Sequence, residues 1–172
     1  MHRRNRFLTQ GAMIAALYVI LTHTQNILIP DSATWAIQFR LSEALCVLAF
    51  FTPAAIPGLA LGCLLFNLSY AGALPLDFVA GSLASALAAL GMWLTRKWTI
   101  RRYPLPGMLM PALWNGLLVG WELQLYIGGG FWLNCLYVFL GEAAVLLIAG
   151  TPLYWAIRLR RLDFRLFGST RS

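Results

Sequence analysis

Twelve of the basic residues of this chain are gathered into three groups that are separated by long apolar stretches. The chain has 13 Lys and Arg residues among 172, and 60% of its residues are hydrophobic. That share is too high for an ordinary soluble domain, and stretches of about 20 apolar residues can cross a bilayer. Because membrane chains keep basic residues on the cytoplasmic side, the pattern predicts an integral membrane protein. The groups are Arg3, Arg4 and Arg6; Arg96, Lys97, Arg101 and Arg102; and Arg158, Arg160, Arg161, Arg165 and Arg171.

Residues 41–70 could form one long tilted helix or two short helices. Pro53 and Pro57 favour two, because proline removes a backbone donor and clashes with the preceding turn. Charge favours two as well, since only six spans place both basic termini and the basic 96–102 loop on one side. We therefore predict one all-α, multi-pass domain, residues 1–172, in the cell membrane with both termini cytoplasmic. The predicted spans are about 7–29, 41–52, 54–70, 77–94, 107–126 and 132–157.

Most strongly polar residues within the predicted spans fall in the half of the membrane that faces away from the cytoplasm. A carboxylate in the bilayer is costly unless it is paired or meets water. Several such groups on one side predict a cavity that opens outward, whereas a channel would carry polar groups through the full depth. The candidate binding residues are Arg40, Glu43, Asn67, Asn115, Glu122, Trp132 and Glu142.

Arg40 is the one basic residue that this topology places outside the cytoplasm. It lies three residues before Glu43 at a predicted helix start, so the two side chains could share a face. They could form an ion pair that makes Glu43 tolerable in lipid, or they could line the mouth of the cavity. A single cation cannot fully neutralise Glu43, Glu122 and Glu142 together. This favours a ligand that donates hydrogen bonds or carries positive charge.

The other candidates have structural interpretations beside the functional one. Asn67 and Asn115 could form hydrogen bonds between helices, and Glu122 could be interfacial. Glu142 could have a partner on another helix, and Trp132 could belong to an aromatic belt at the membrane surface. If they bind a ligand, a planar heterocycle with several donors fits best, because a carboxylate can accept two parallel hydrogen bonds from a guanine-like edge.

Small residues form two further patterns. The fourth span is rich in them between Gly81 and Ala89, and this run is expected to pack within the chain, since small side chains let helices approach closely in lipid. Ala12 and Ala16 lie four residues apart in the first span. They could pack internally or form a surface for a partner, because a first helix often lies at the edge of a bundle.

Several functions are disfavoured. Cys46, Cys63 and Cys135 form no CxxC motif and are expected to be buried apolar residues, and two histidines cannot build a metal site. With no nucleophile motif, we expect no catalytic residue, metal or cofactor. Basic charge at helix ends sets topology and meets anionic lipid rather than nucleic acid. A stand-alone secondary carrier remains an alternative, although it would need polar groups in the inner half and inverted repeats.

Short motifs spread over about residues 12–155 resemble the QueT-type membrane proteins. This family is similar to the substrate-binding S components of energy-coupling factor (ECF) vitamin transporters. The motifs are Gln38-Phe39-Arg40-x-Ser42-Glu43-Ala44-Leu45, Ala55-Ile56-Pro57-Gly58-Leu59, Gly62-Cys63 with Asn67, Asp77 with Gly81-Ser82-Leu83-Ala84, the Asn115 region, and Phe131-Trp132 with Gly141-Glu142.

The resemblance implies a six-helix, S-component-like bundle with an outward-facing pocket. The ligand it implies is a queuosine precursor, a 7-deazaguanine such as preQ1, preQ0 or queuine, captured for ATP-driven uptake; another planar vitamin is the alternative. The implied partners are an ECF transmembrane coupling protein and two cytoplasmic ATPases, since this chain has no P-loop. Ala12-x-x-x-Ala16 matches the alanine-rich face with which such S components meet the coupling protein.

Overall fold

The structure, a computed structural model, describes residues 2–30, 39–70, 72–162 and 167. Gln38, Arg165 and Arg171 lie outside these residues. Within them the chain is helical and forms no strand, only an isolated bridge between Ile100 and Tyr103. The predictions of an all-α chain with six helices and of two helices within residues 41–70 are confirmed. The six main helices are α1 (His2–Leu28), α2 (Leu41–Phe50), α3 (Ala55–Ser69), α4 (Asp77–Thr95), α5 (Met110–Tyr126) and α6 (Phe131–Leu159), and a four-residue helix, Leu105–Met108, lies between α4 and α5.

Three of the helices in the described part of the chain are long and apolar enough to cross a membrane. They occupy Arg3–Leu28, Asp77–Thr95 and Phe131–Leu159. The other three are shorter, and α3 and α5, with 15 and 17 residues, extend about 23 and 26 Å at the rise of an α-helix. The bounds predicted for the six membrane spans therefore stay a prediction.

The short helix α2 is a 3₁₀ helix that is enclosed by the rest of the bundle. Every residue from Ser42 to Phe50 is buried, and Leu41 alone of its ten residues is exposed. A 3₁₀ helix rises about 2.0 Å per residue, so ten residues reach about 20 Å where an α-helix would reach about 15 Å. The helix contacts α1, α3, α4 and α6. Its polar residues therefore point into the interior of the protein and not into lipid.

Glycine allows two pairs of helices to approach closely. A Cβ on Gly62 of α3 would lie 2.7 Å from Cβ of Tyr18 in α1, and a Cβ on Gly120 of α5 would lie 2.8 Å from the backbone nitrogen of Cys135 in α6. Both distances are too short for a side chain. The prediction that the small residues of α4 pack within the chain is also confirmed. The buried ones are Gly81, Ala84, Ser85, Ala88 and Ala89.

Helix α6 is interrupted by a π-helical turn, Leu146–Gly150, which begins four residues after Glu142. The turn packs against α2, and a Cβ on Gly150 would lie 3.2 Å from Cγ2 of Val47. Single π turns within α-helices frequently accompany functional sites. The π turn of α6 and the 3₁₀ helix α2 therefore lie side by side, and the π turn follows Glu142 in the sequence.

Candidate ligand-binding site

Every acidic residue that the structure describes is buried in the bundle. Glu43 and Glu122 are 0% exposed, Glu142 is 1% exposed and Asp77 is 3% exposed. Arg40, which is 1% exposed, is the buried basic residue of this part of the chain, and the other described Lys and Arg side chains are exposed or half-buried. Four carboxyl groups therefore share the described interior with one guanidinium.

Arg40 precedes α2 and extends its side chain toward α3 and α4. Its Nη1 lies 3.6 Å from Sγ of Cys63, and its guanidinium carbon lies 5.9 Å from the ring centroid of Phe66. Gly81 of α4 lies beside this group, since a Cβ there would be in van der Waals contact with Nη1 at 3.7 Å. A guanidinium keeps its charge, and contact with an aromatic face is favourable. Arg40 is therefore a permanent buried cation.

Glu43 is held by donors from three helices. Its Oε1 accepts hydrogen bonds from the Tyr18 hydroxyl at 2.6 Å and from the Ser85 hydroxyl at 3.4 Å, and its Oε2 accepts one from the Cys46 thiol at 3.1 Å. The Thr22 hydroxyl lies 2.7 Å from that of the neighbouring Ser42. The Glu43 carboxylate thus contacts α1 and α4, whereas the Arg40 guanidinium contacts Cys63 and Phe66 of α3. Glu43 is fixed in place by the protein itself.

One carboxylate oxygen of Glu142 and the amide nitrogen of Asn115 lack such partners. Neither Oε2 of Glu142 nor Nδ2 of Asn115 has a hydrogen-bond partner among the described residues, although both atoms are buried. Glu142 lies within electrostatic range of Glu43 and Arg40. A buried polar atom without a partner is destabilising, so its presence requires an explanation.

The packing of α5 against α6 places Asn115 and Glu142 at a similar depth. The two helices are antiparallel neighbours, and a Cβ on Gly116 would lie 3.4 Å from Cβ of Phe139. Asn115 therefore lies near the level of residues 139–140, and Glu142 lies about 3 Å deeper. An unused carboxylate oxygen and an unused amide donor thus occupy neighbouring levels of the interior.

Glu122 lies nearer the α5–α6 turn and beside Asp77. Its two carboxylate oxygens have no hydrogen-bond partner of ordinary geometry within the described residues, although the Asp77 carboxyl and the Leu76 backbone are close. Asp77 is the first residue of α4 and not its N-cap, and its Oδ2 accepts a hydrogen bond from the Leu74 backbone nitrogen at 2.8 Å. Two carboxyl groups are therefore adjacent in this part of the bundle.

Asn67 has a structural contact and a free acceptor. Its Nδ2 donates to the Asp77 carbonyl oxygen at 2.7 Å, which links the end of α3 to the start of α4, while its buried Oδ1 has no partner among the described residues. Trp132 lies elsewhere. It is 77% exposed on the outer surface of α6, against the ring of Phe131, and the structure does not bring it together with the buried carboxyl groups.

Ala12 and Ala16 both lie on the exposed side of α1. The opposite side of this helix, with Ile14, Ala15 and Tyr18, is buried against the bundle. The alanine pair is therefore available for contact with lipid or with another protein.

Sequence reasoning missed the two hydroxyl donors to Glu43, which are Tyr18 and Ser85. A tyrosine in the middle of an apolar span was a usable signal, because a buried phenol normally requires a hydrogen-bond partner. Ser85 carried no such signal, since it lies among small residues that have a packing role. The prediction that the three cysteines are buried is confirmed.

A helical bundle with exposed apolar residues and with helices long enough to cross a bilayer defines an all-α membrane protein. Within the described residues no group of three or more His, Cys, Asp or Glu residues could hold a metal ion. The sequence matches the family model described as QueT transporter over residues 8–159, and the chain belongs to this family of transporter S components, which are not catalytic. Comparisons with curated proteins and with solved structures gave no match. The resemblance inferred from the motifs is confirmed.

Proposed function

We propose that this chain captures a queuosine precursor of the 7-deazaguanine class at the outer side of the membrane for ATP-driven uptake by an ECF complex. The observation that carries the proposal is a pair of buried atoms, Oε2 of Glu142 and Nδ2 of Asn115, which have no hydrogen-bond partner among the described residues. A guanine-like edge presents two adjacent N–H donors beside a carbonyl oxygen. Glu142 would accept from the donors, and Asn115 would donate to the carbonyl.

The proposed orientation has both termini in the cytoplasm. The exposed basic residues support it, since they flank the start of α1 and the ends of α4 and α6. The segment after α4 also packs on the second half of α6, where the hydroxyls of Tyr103 and Thr151 lie 2.5 Å apart. Under the positive-inside rule this basic end faces the cytoplasm, and Glu122 lies toward the outer end.

The proposed partners are an ECF transmembrane coupling protein, two cytoplasmic ATPases and membrane lipid. The exposure of Ala12 and Ala16 supports a coupling surface on α1, because small side chains allow close helix contact in lipid. Ala16→Leu should reduce co-purification of the coupling protein and leave ligand affinity unchanged. Ala86→Leu on the half-buried side of α4 is the matched control, and equal losses from the two variants would remove α1 from the interface.

The test of ligand capture is calorimetry on the purified chain in detergent with 7-deazaguanines, with 7-deazaadenine as the control ligand. We expect deazaguanines to bind and the adenine analogue, whose edge has a different donor pattern, not to bind. Glu142→Gln should weaken deazaguanine binding about 10- to 100-fold, because a charged acceptor is lost. Trp132→Phe on the same helix should leave affinity unchanged. Equal binding of both ligand classes would contradict the proposal.

Uptake in cells tests the coupled mechanism. Cells that contain this chain should accumulate a labelled deazaguanine only when the coupling protein and ATPases are also present. Accumulation in cells without the ATPases would instead support a stand-alone carrier.

A further inference from the structure

We propose that Asn26, near the end of α1, is a ligand-contacting residue whose side-chain amide binds a hydroxyl group at the outer end of the ligand. The inference rests on the proposed function and deepens it, because it adds a second point of contact, far from Glu142, to the same pocket. The chain should then distinguish ligands by whether the substituent opposite the guanine-like edge carries a hydroxyl group.

The amide of Asn26 has an unused donor and an unused acceptor. The residue as a whole is half-buried, but its Oδ1 and Nδ2 atoms are buried, and neither has a hydrogen-bond partner among the described residues. Leaving either atom unpaired is destabilising, so the missing partner is expected both to donate and to accept. A hydroxyl group does both, whereas an ammonium group only donates and a carboxylate only accepts.

The position of Asn26 on α1 directs this amide into the bundle. Asn26 lies four residues after Thr22 and eight after Tyr18, so the three residues share one face of the helix. The Tyr18 hydroxyl donates to Glu43 at 2.6 Å, and the Thr22 hydroxyl lies 2.7 Å from that of Ser42. The same face of α1 therefore carries polar contacts to α2 at its first two positions and an unpartnered amide at the third.

The polar neighbours of Asn26 already make the contacts between helices at this end of α1. His23 forms a hydrogen bond of 2.9 Å with a serine of α3. The amide of Gln25 binds the backbone at the start of α2, since its Nε2 donates to the carbonyl oxygen of Phe39 and its Oε1 accepts from the backbone nitrogen of Leu41 at 2.6 Å. These contacts fix the end of α1 against α2 and α3, so Asn26 is not required for packing.

The distance along the bundle fits a ligand of the proposed class. Glu142 lies within electrostatic range of Glu43, which is hydrogen-bonded to Tyr18. The eight residues from Tyr18 to Asn26 extend about 12 Å along the helix axis. A two-ring heterocycle with a short hydroxylated arm spans a comparable length once a hydrogen bond is added at each end. The guanine-like edge would lie at Glu142, and the hydroxyl group would lie at Asn26, nearer the membrane surface.

Two ligands of the same shape test the assignment. Binding of 7-hydroxymethyl-7-deazaguanine and of 7-ethyl-7-deazaguanine, in which a methyl group replaces the hydroxyl, is measured by calorimetry on the purified chain in detergent. We expect the wild type to bind the hydroxymethyl compound about 10-fold more tightly. Asn26→Leu should remove this preference by weakening the binding of the hydroxymethyl compound alone. Thr24→Ala, at an exposed position of the same helix, is the matched control and should retain the preference.

The inference is wrong, with ligand capture left standing, if the wild type binds the two compounds equally, if Asn26→Leu weakens both by the same factor, or if Thr24→Ala loses the preference as well. The wild-type comparison does not depend on whether a variant folds. A purely structural role for Asn26 would change stability without changing the preference between two ligands. If the wild type binds neither compound nor any other deazaguanine, the proposed function itself fails.

Discussion

Two regions of the interior contain buried carboxyl groups that differ in whether hydrogen-bond donors surround them. Between α1, α2 and α4, the carboxylate of Glu43 accepts hydrogen bonds from Tyr18, Cys46 and Ser85. Between α5 and its neighbours, Glu122 and Glu142 are as deeply buried but have oxygens without partners in the described part of the chain. Burial alone therefore does not identify a binding residue in this protein. The hydrogen bonds separate the two regions, because they show which carboxyl groups the protein itself satisfies.

The difference supports a structural role for the first region and the proposed binding role for the second. The Glu43 network joins α1 and α4 to the enclosed helix α2, so it fixes the scaffold on which α5 and α6 pack. The unpartnered groups are destabilising in the empty protein, and a ligand that satisfies them recovers that free energy on binding. Variants of the two regions should therefore have opposite effects on the stability of the empty protein.

The largest effect is expected from Glu43→Gln. The amide cannot serve all three donors, and a buried network would lose its charged acceptor. We expect the free energy of unfolding in detergent to fall by about 3 kcal/mol. Chemical unfolding followed by tryptophan fluorescence measures it. A Glu43→Gln variant as stable as the wild type would show that the network does not hold the scaffold.

Tyr18→Phe should have the next largest effect. The change removes the hydroxyl that donates to Glu43 at 2.6 Å and preserves the ring that packs against Gly62. We expect a loss of about 2 kcal/mol, because a charged acceptor is left one donor short. Tyr137→Phe on the exposed side of α6 is the matched control and should change stability little. If the two substitutions have the same effect, the Tyr18 hydrogen bond is not a stabilising one.

Glu142→Gln should not reduce the free energy of unfolding of the empty protein, in contrast to Glu43→Gln. It removes a buried charge that has an oxygen without a hydrogen-bond partner in the described residues. We expect the empty protein to be unchanged or more stable by up to about 1 kcal/mol. The same unfolding measurement without ligand tests this. If the free energy of unfolding fell as much as in Glu43→Gln, Glu142 would have a structural role and the two regions would not differ in function.

The smallest effect is expected from Ser85→Ala. Its hydroxyl lies 3.4 Å from Oε1 of Glu43, which is long for a hydrogen bond between oxygens. We expect a loss of about 0.5 kcal/mol or less. Combined with Tyr18→Phe, it should give a larger loss than the sum of the two, since Glu43 would then keep only the Cys46 thiol. Strict additivity would mean that the two hydroxyls act independently.

The division of the chain into helices could be predicted because its signals are local. Pro53 separates α2 from α3, and Gly128, Gly129 and Gly130, all with positive φ, form the turn between α5 and α6. The 3₁₀ form of α2 could not be read in the same way. The composition of these ten residues is equally compatible with an α-helix. The feature that sets α2 apart from the other helices is its enclosure within the bundle.

The burial of most candidate residues was predictable, but their hydrogen-bond partners were not. Burial of Arg40, Glu43, Asn67, Asn115, Glu122 and Glu142 agrees with the expectation that they lie inside the bundle. Sequence spacing suggested only Arg40 as a partner for Glu43, whereas the structure adds the donors Tyr18 and Ser85, which are 25 and 42 residues away. Trp132 lies on the outer surface because the rotation of α6 about its axis is set by packing on α5.

The sequence by itself determined a helical membrane chain, its six helices and the membership of the QueT transporter family. The physical reason is that lipid offers no hydrogen bonds, so apolar segments must satisfy their own backbone as helices. Only the tertiary structure decided which buried carboxyl group is already satisfied. That property depends on donors brought together from distant helices, and the sequence records the donors without recording which of them meet.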